Sequence, residues 1–438
     1  MSAKLEATRK FVKALERTQY YPPGRMQAYQ RQLLEPLLHH AKREVPFYAT
    51  RLDPLFASDG SIRWDAWADV PTFTRADAQK AGQALFAKSY PHHMGSYVEN
   101  QTSGSTGMPL KFRMTAAAHL MGTAASQRIF DWHAVNCAAK MALIVDVHGK
   151  FPFPDGAKGR QWNVKTPHAP ACQLTVKETI ENQLQWVLAT GSEILTTYPS
   201  IAVAMGQLAE QRGLALPFHT FIGQGEVFSE NAKAYLARTH KLKLIDRYGA
   251  SELGAIAAQC PEETGYHQFC EAGLMEVLDF KDHLPITNGR GQLVLTPFYN
   301  YAMPLIRYEN QDQVEVTSKP CACGRTLPII QKILGREKNV FTYIDGSRSW
   351  PTGPASIYPT FLPSQQIQVI QKTMTQLEVR FVRDDSSSVP VNVQGLEGVF
   401  RKHLHPSIHI ELIEMEKIPR SASGKYEQWI SLISGYEE

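Results

Sequence analysis

The segment Gln101-Thr102-Ser103-Gly104-Ser105-Thr106-Gly107-Met108-Pro109 interleaves hydroxyl side chains with glycines. Glycines let a backbone approach a ligand closely, and hydroxyls with backbone N–H groups converge on phosphate oxygens without adding fixed charge. The pattern reads as a phosphate loop, with Ser103, Gly104, Ser105, Thr106 and Gly107 as its contacts. It is not the G-x-x-x-x-G-K-[ST] type, because no lysine occupies the required place. A second group has the character of metal ligands: Cys260 and His267, then Cys321 and Cys323. Three thiolates and one imidazole make a complete tetrahedral Zn²⁺ set, so a closed structural site is expected, with Cys270 as a competing ligand.

These residues need elements to position them. From 11 to 43 the apolar residues fall at helical spacing, broken by a Tyr-Pro-Pro-Gly turn at 21–24. From about 140 onward, strand-like runs at 141–147, 193–198, 218–223 and 241–246 alternate with helical ones at 199–211 and 229–239. That alternation predicts βαβ crossovers in a mainly parallel sheet. Between 274 and 316 the pattern changes to strand, turn, strand, which predicts a β-rich subdomain. After 333 a hairpin at 340–350, strands at 367–371, 376–382 and 408–414 and a helix near 396–404 predict a compact α+β unit. The expected fold class is therefore α/β, with an N-terminal domain of residues 1–335 and a small C-terminal lid domain of 336–438.

Further motifs follow the glycine-rich loop in order: Gly225-Glu226, then Asp246-Arg247-Tyr248-Gly249-Ala250-Ser251-Glu252, then Pro304-Leu305-Ile306-Arg307-Tyr308 with Asp312, then Gly335-Arg336-Glu337-Lys338, and finally Ser423-Gly424-Lys425. In that order and spacing they resemble the core motifs of the adenylate-forming superfamily of acyl-CoA ligases, nonribosomal adenylation domains and luciferases. Val45-Pro46-Phe47-Tyr48, Val70-Pro71 and Cys321-Ala322-Cys323-Gly324-Arg325-Thr326 add a likeness to its phenylacetate–coenzyme A ligase branch.

The resemblance implies that the glycine-rich loop holds ATP phosphates and that Glu252 binds Mg²⁺, a hard cation suited to carboxylate oxygens. It places Tyr248 against adenine, with Gly225, Glu226, Gly249 and Ser251 in the same pocket, and Asp312 on the ribose hydroxyls. Arg336 is expected near ribose and phosphate, Lys338 at the domain hinge, and Lys425 reaching from the lid to steady charge as the carboxylate attacks. Trp132, His133, His148 and Tyr198 are the expected wall of an aromatic-acid pocket.

The implied reaction is ATP-dependent activation of a carboxylic acid to an acyl-adenylate with release of pyrophosphate, followed by transfer to coenzyme A. The alternatives are transfer to an amine, hydroxyl or carrier protein, and a non-catalytic nucleotide-binding role. A net charge of +4 in 438 residues, without any basic run, gives no sign of a nucleic-acid partner. The charged N-terminus lacks the apolar core of a signal peptide and no 18-residue apolar stretch follows, so no membrane partner and a cytoplasmic location are expected, with a homodimer admitted.

Overall fold

The computed structural model describes residues 3–102, 110–146, 150–159, 161–166, 168–262, 264–336, 339–349, 351, 358–385, 387–421 and 424–433. Helices α1 (Ala3–Thr18) and α2 (Pro23–Glu44) are split at the Pro-Pro-Gly turn, where proline is favourable only in a first helical turn. β1 (Phe73–Thr74) leads into α3 (Arg75–Ala81), which Thr74 and Asp77 start with a reciprocal capping box. β2 (Tyr97–Gln101) and β3 (Lys111–Thr115) pair as an antiparallel hairpin, and the Thr115 hydroxyl caps α4 (Ala116–Trp132). The glycine-rich segment therefore lies between two paired strands.

The alternating region folds as expected into β4 (Met141–Val145), β5 (Ala157–Lys158), β6 (Ala171–Thr175), α5 (Ile180–Thr190), β7 (Ile194–Thr197), α6 (Pro199–Gln211), β8 (Thr220–Gly223), α7 (Glu230–Thr239) and β9 (Lys243–Ala250). Thr179 and Ser229 cap α5 and α7 through their hydroxyls, and Pro199 opens α6 at a position whose N–H would have no helical partner. β6, β4, β7, β8 and β9 run parallel in that order, and their covering side chains, among them Leu174, Trp186, Ile201 and Phe221, form one buried cluster.

The strand expected to end at 246 continues to Ala250, so the Asp246–Glu252 motif lies largely within β9 and the turn after it. Pairing with β8 on one side and with β10 (Gly254–Gln259) on the other gives these polar residues the backbone partners that hold them extended. β11 (Tyr266–Gln268), β12 (Gly273–Leu278), β13 (Gly289–Pro297), β14 (Tyr308–Thr317) and β15 (Ile329–Arg336) complete the antiparallel part. This β-rich part is continuous with the parallel one through β9, in a single sheet of 13 strands.

Beyond β15 the chain builds a second layer system. β16 (Phe341–Thr342) and β17 (Arg348–Ser349) form the expected hairpin. β18 (Ser364–Gln371), β19 (Gln376–Arg383), β20 (His409–Glu414) and β21 (Trp429–Ser431) form a separate sheet in the order β20-β19-β18-β21, covered by α8 (Val393–His403). Its own core includes Phe341, Val369, Val379, Leu396 and Phe400. Among the described residues no helix is long and apolar enough to cross a membrane.

Candidate active site

A crevice of about 3310 Å³ is lined by Tyr248, Glu252 and Asp312 of the large sheet and by Lys425 and Tyr426 of the smaller C-terminal α+β domain. At its neck, Thr102 receives hydrogen bonds at its Oγ1 from Leu110 N (2.9 Å) and from the buried Arg75 guanidinium (2.5 Å), which closes the base of the loop. Ser103, Gly104, Ser105, Thr106 and Gly107 lie outside the described residues, as do His148 and Lys338.

Asp312 and Arg336 face one another across β14 and β15, with Arg336 Nε 3.6 Å from Asp312 Oδ1. Asp312 Oδ2 accepts the Tyr248 hydroxyl at 2.5 Å and Asn310 Nδ2 at 2.8 Å. Burial pushes the Asp312 carboxyl up, opposed by the Arg336 guanidinium, and burial beside Asp312 holds the Tyr248 phenol far above its usual range. Gly249, next to Tyr248, admits no side chain: a Cβ there would lie 2.6 Å from Gly254 O, in the tight return into β10. Ser251 and Glu252 occupy that turn, and the buried Glu252 carboxylate receives the Tyr308 hydroxyl at 3.4 Å.

Lys425 enters from the lid, its Nζ 5.9 Å from the Tyr198 ring centroid. Burial and the nearby Arg336 lower its pKa, against the opposing pull of Glu226, Asp312 and Glu252. Gly225 has φ +78°, and a Cβ on it would lie 2.8 Å from the Tyr198 ring, so glycine is needed for that ring to sit here, with Lys425 Cε in ordinary contact range at 3.6 Å.

Glu226 lines the same crevice and bridges two segments. Its Oε2 accepts Ser200 N (3.2 Å), the first available N–H of α6 after Pro199, and its Oε1 accepts Tyr426 N (2.6 Å) from the lid. Of the expected acid-pocket residues, Trp132, His133 and Tyr198 all line this crevice. Tyr198 lies beside Gly225 and Lys425. Trp132 reaches the crevice wall, but its Nε1 donates to Gln19 Oε1 (2.8 Å) and its ring packs edge-on to His267 at 5.6 Å. His133 also reaches that wall, with Nε2 bound to Gln259 O (2.9 Å) and its pKa lowered by burial. The sequence reading missed Asn310, Arg75, Ser200 and Arg420. Asn310 stands two residues before Asp312, where a short polar residue ahead of a ligand carboxylate is a usable signal.

Beneath the antiparallel part, the ligand atoms of Cys260, His267, Cys321 and Cys323 lie within 4.8 Å of one another. Cys260 Sγ is 3.5 Å from Cys321 Sγ, and His267 Nε2 is 3.2 Å from Cys323 Sγ. His267 Nδ1 donates to Leu327 O (3.2 Å), which leaves Nε2 with its lone pair turned to the thiols. Four soft or borderline donors in so small a space fit a tetrahedral metal ion. Cys270 packs instead with Met26 and Leu327, which removes it as a competitor.

No protein-family model matches the chain. A curated phenylacetate–coenzyme A ligase of Thermus thermophilus is 23% identical over 456 residues, spanning 94% of this chain and 97% of its own length. Among solved structures, 2-hydroxyisobutyryl-CoA ligase in the postadenylation state matches with a TM-score of 0.75 at 17% identity, over 95% of this chain and 91% of its own. In the thioesterification state with 2-HIB-AMP and CoA, that ligase matches over the same shares with a TM-score of 0.61 at 18% identity. The fold is thus that of the adenylate-forming acyl-CoA ligases. Within that class, the chain is similar in sequence to the phenylacetate–coenzyme A ligase branch.

Proposed function

We propose that the protein is an AMP-forming ligase that activates a carboxylic acid with ATP and passes the acyl group to coenzyme A. The observation that carries this reading is that Lys425 of the C-terminal domain lines one crevice with Tyr198, Gly225 and the Asp312–Arg336 pair. A carboxylate oxygen of the acid attacks the α-phosphorus, the bond from that phosphorus to the bridging oxygen breaks, and pyrophosphate leaves. Lys425 and Arg336 stabilise the negative charge that builds up on the α-phosphate in that step. The coenzyme A thiol, losing its proton, then attacks the acyl carbonyl and AMP departs.

Asp312 is suited to accept the ribose hydroxyls through Oδ1, since Oδ2 is already occupied by Tyr248 and Asn310. Glu252 offers the hard oxygen that Mg²⁺ prefers, and when bound there the ion would neutralise phosphate charge. The Cys260–His267–Cys321–Cys323 cluster is proposed as a closed structural zinc site. An aromatic acid is the proposed substrate class, supported by the acid in the name of the Thermus relative. A cytoplasmic setting accords with the use of ATP and coenzyme A.

The test is ATP–pyrophosphate exchange with Mg²⁺ over a panel of aromatic and aliphatic acids, each with and without coenzyme A. Exchange with one acid class and thioester formation on adding coenzyme A are expected. Absence of exchange with every acid would overturn the reading.

A further inference from the structure

We propose that Glu226 and Arg420 form a latch between the domains that positions Lys425 for the adenylation half-reaction. The inference rests on the function proposed above, but its evidence is the geometry around the lysine. Glu226, with its side chain 7% exposed, receives one N–H from each domain: Ser200 N at the start of α6, and Tyr426 N in the lid. Arg420, also from the lid, completes the arrangement. Its Nη1 donates to Ser200 Oγ (2.6 Å) and to Gly424 O (3.2 Å) and lies 3.9 Å from Glu226 Oε1, and its Nη2 donates to Ser200 O (3.4 Å).

Lys425 sits between the two pinned groups. The carbonyl before it is held by Arg420, and the N–H after it by Glu226. Its own N–H and C=O are both bonded to Ser421. The backbone on either side of Lys425 is thereby tied to α6 through Arg420 and to the segment between β8 and α7 through Glu226. A carboxylate is the suitable receiver because its two oxygens accept from two separate N–H groups at once, and charge shortens and strengthens both bonds. An amide of the same size has only one accepting oxygen and would turn an NH₂ group toward the other N–H.

The latch is a positioning device for one half-reaction. In the mechanism proposed above, adenylation makes and breaks bonds at the α-phosphorus, where Lys425 would act, whereas transfer from a finished adenylate to coenzyme A makes and breaks bonds at the acyl carbon. Glu226→Gln and Arg420→Gln should each slow ATP–pyrophosphate exchange by about 10- to 100-fold, the worth of one or two charge-assisted hydrogen bonds. Thioester formation from supplied acyl-adenylate and coenzyme A should change by less than about 3-fold. Equal losses in both half-reactions would point to general damage and overturn the proposal, as would unchanged exchange.

A second measurement needs no activity. Backbone hydrogen exchange in peptides covering 424–431 should be at least about 10-fold faster at Tyr426 in Glu226→Gln, with protection of β18 and β19 unaltered. Unaltered protection at Tyr426 would also overturn the latch. If wild-type protein exchanges no pyrophosphate with any acid, the proposed function fails, while this protection result still decides the latch.

Discussion

Tyr248 donates its hydroxyl to Asp312 Oδ2 at 2.5 Å, joining β9 to β14 across 64 positions of sequence. Asn310 Nδ2 reaches both partners, at 3.1 Å from the phenol and 2.8 Å from the carboxylate. The carboxylate is therefore oriented before any nucleotide arrives, with Oδ1 turned toward Arg336. Pre-orientation of this kind lowers the cost of binding without itself touching the reacting atoms.

From that arrangement, Asp312→Asn should raise KM for ATP by about 10- to 100-fold in the exchange assay, because it removes a charged acceptor for ribose hydroxyls. Tyr248→Phe removes only an orienting hydrogen bond and should cost less than about 10-fold. A KM for ATP unmoved by Asp312→Asn would take this residue out of the nucleotide site.

The pH profile should carry the mark of Lys425. Its ammonium form is the one that stabilises phosphate charge, and burial with Arg336 nearby lowers its pKa. Activity should thus fall as pH rises through the lowered value, with an alkaline limb in kcat/KM beginning below the ordinary lysine range of about 10.4. Bound triphosphate adds negative charge, which favours the ammonium, so the limb in kcat should lie at higher pH than that in kcat/KM. Lys425→Arg, whose charge persists throughout, should lose the limb even where its rate is lower. Coincident alkaline limbs in the wild type and this variant, measured from about pH 7 to 10, would assign the titration to another group.

The cysteine cluster makes a separate claim on composition. Protein purified without added metal should contain about one zinc per chain, and Cys321→Ser should lose most of it, since three ligands hold the ion far less well than four. Prolonged chelation should lower the melting temperature, because an ion bound only by the folded chain stabilises it. Metal-free protein with an unchanged melting temperature would leave the four side chains as packed thiols and a histidine.

Much of this was readable in the residues. The crossover helices were legible in the alternation of strand-like and helical runs, and Pro199 at the start of α6 and Ser229 capping α7 are local chemistry that fixes their starts. The cysteine cluster was legible because soft donors are scarce in the chain, although only packing against Met26 and Leu327 set Cys270 aside. The extent of β9 was not legible: residues 246–250 are polar or small, and what keeps them extended is pairing with β8 and β10, supplied from elsewhere. The contact of Glu226 with Tyr426 was not legible, since the two lie 200 positions apart in sequence. Trp132 was readable as a pocket aromatic and lines the crevice, but its packing on His267 was not, since that depends on how β11 meets α4.

The N-terminal helix is tied on by a pair that can be tested by stability alone. Arg128 of α4 and Glu271, with side chains 3% and 0% exposed, form a two-pronged ion pair at 2.7 and 3.1 Å. α1 joins it through Leu15 O, which accepts Arg128 Nη2 at 2.6 Å, and through the Thr18 hydroxyl donating to Glu271. Taking two charges out of water costs nearly as much as their attraction returns, so the pair adds little net stability, but removing one partner strands the other. Arg128→Met should therefore destabilise the large domain by about 3 to 5 kcal/mol, read from urea unfolding. Arg128→Met combined with Glu271→Leu should recover a large part of that loss, because no buried charge is then left unpaired. A double variant as unstable as the sum of the two single ones would show that the residues act independently, and that α1 is held to α4 by apolar packing instead.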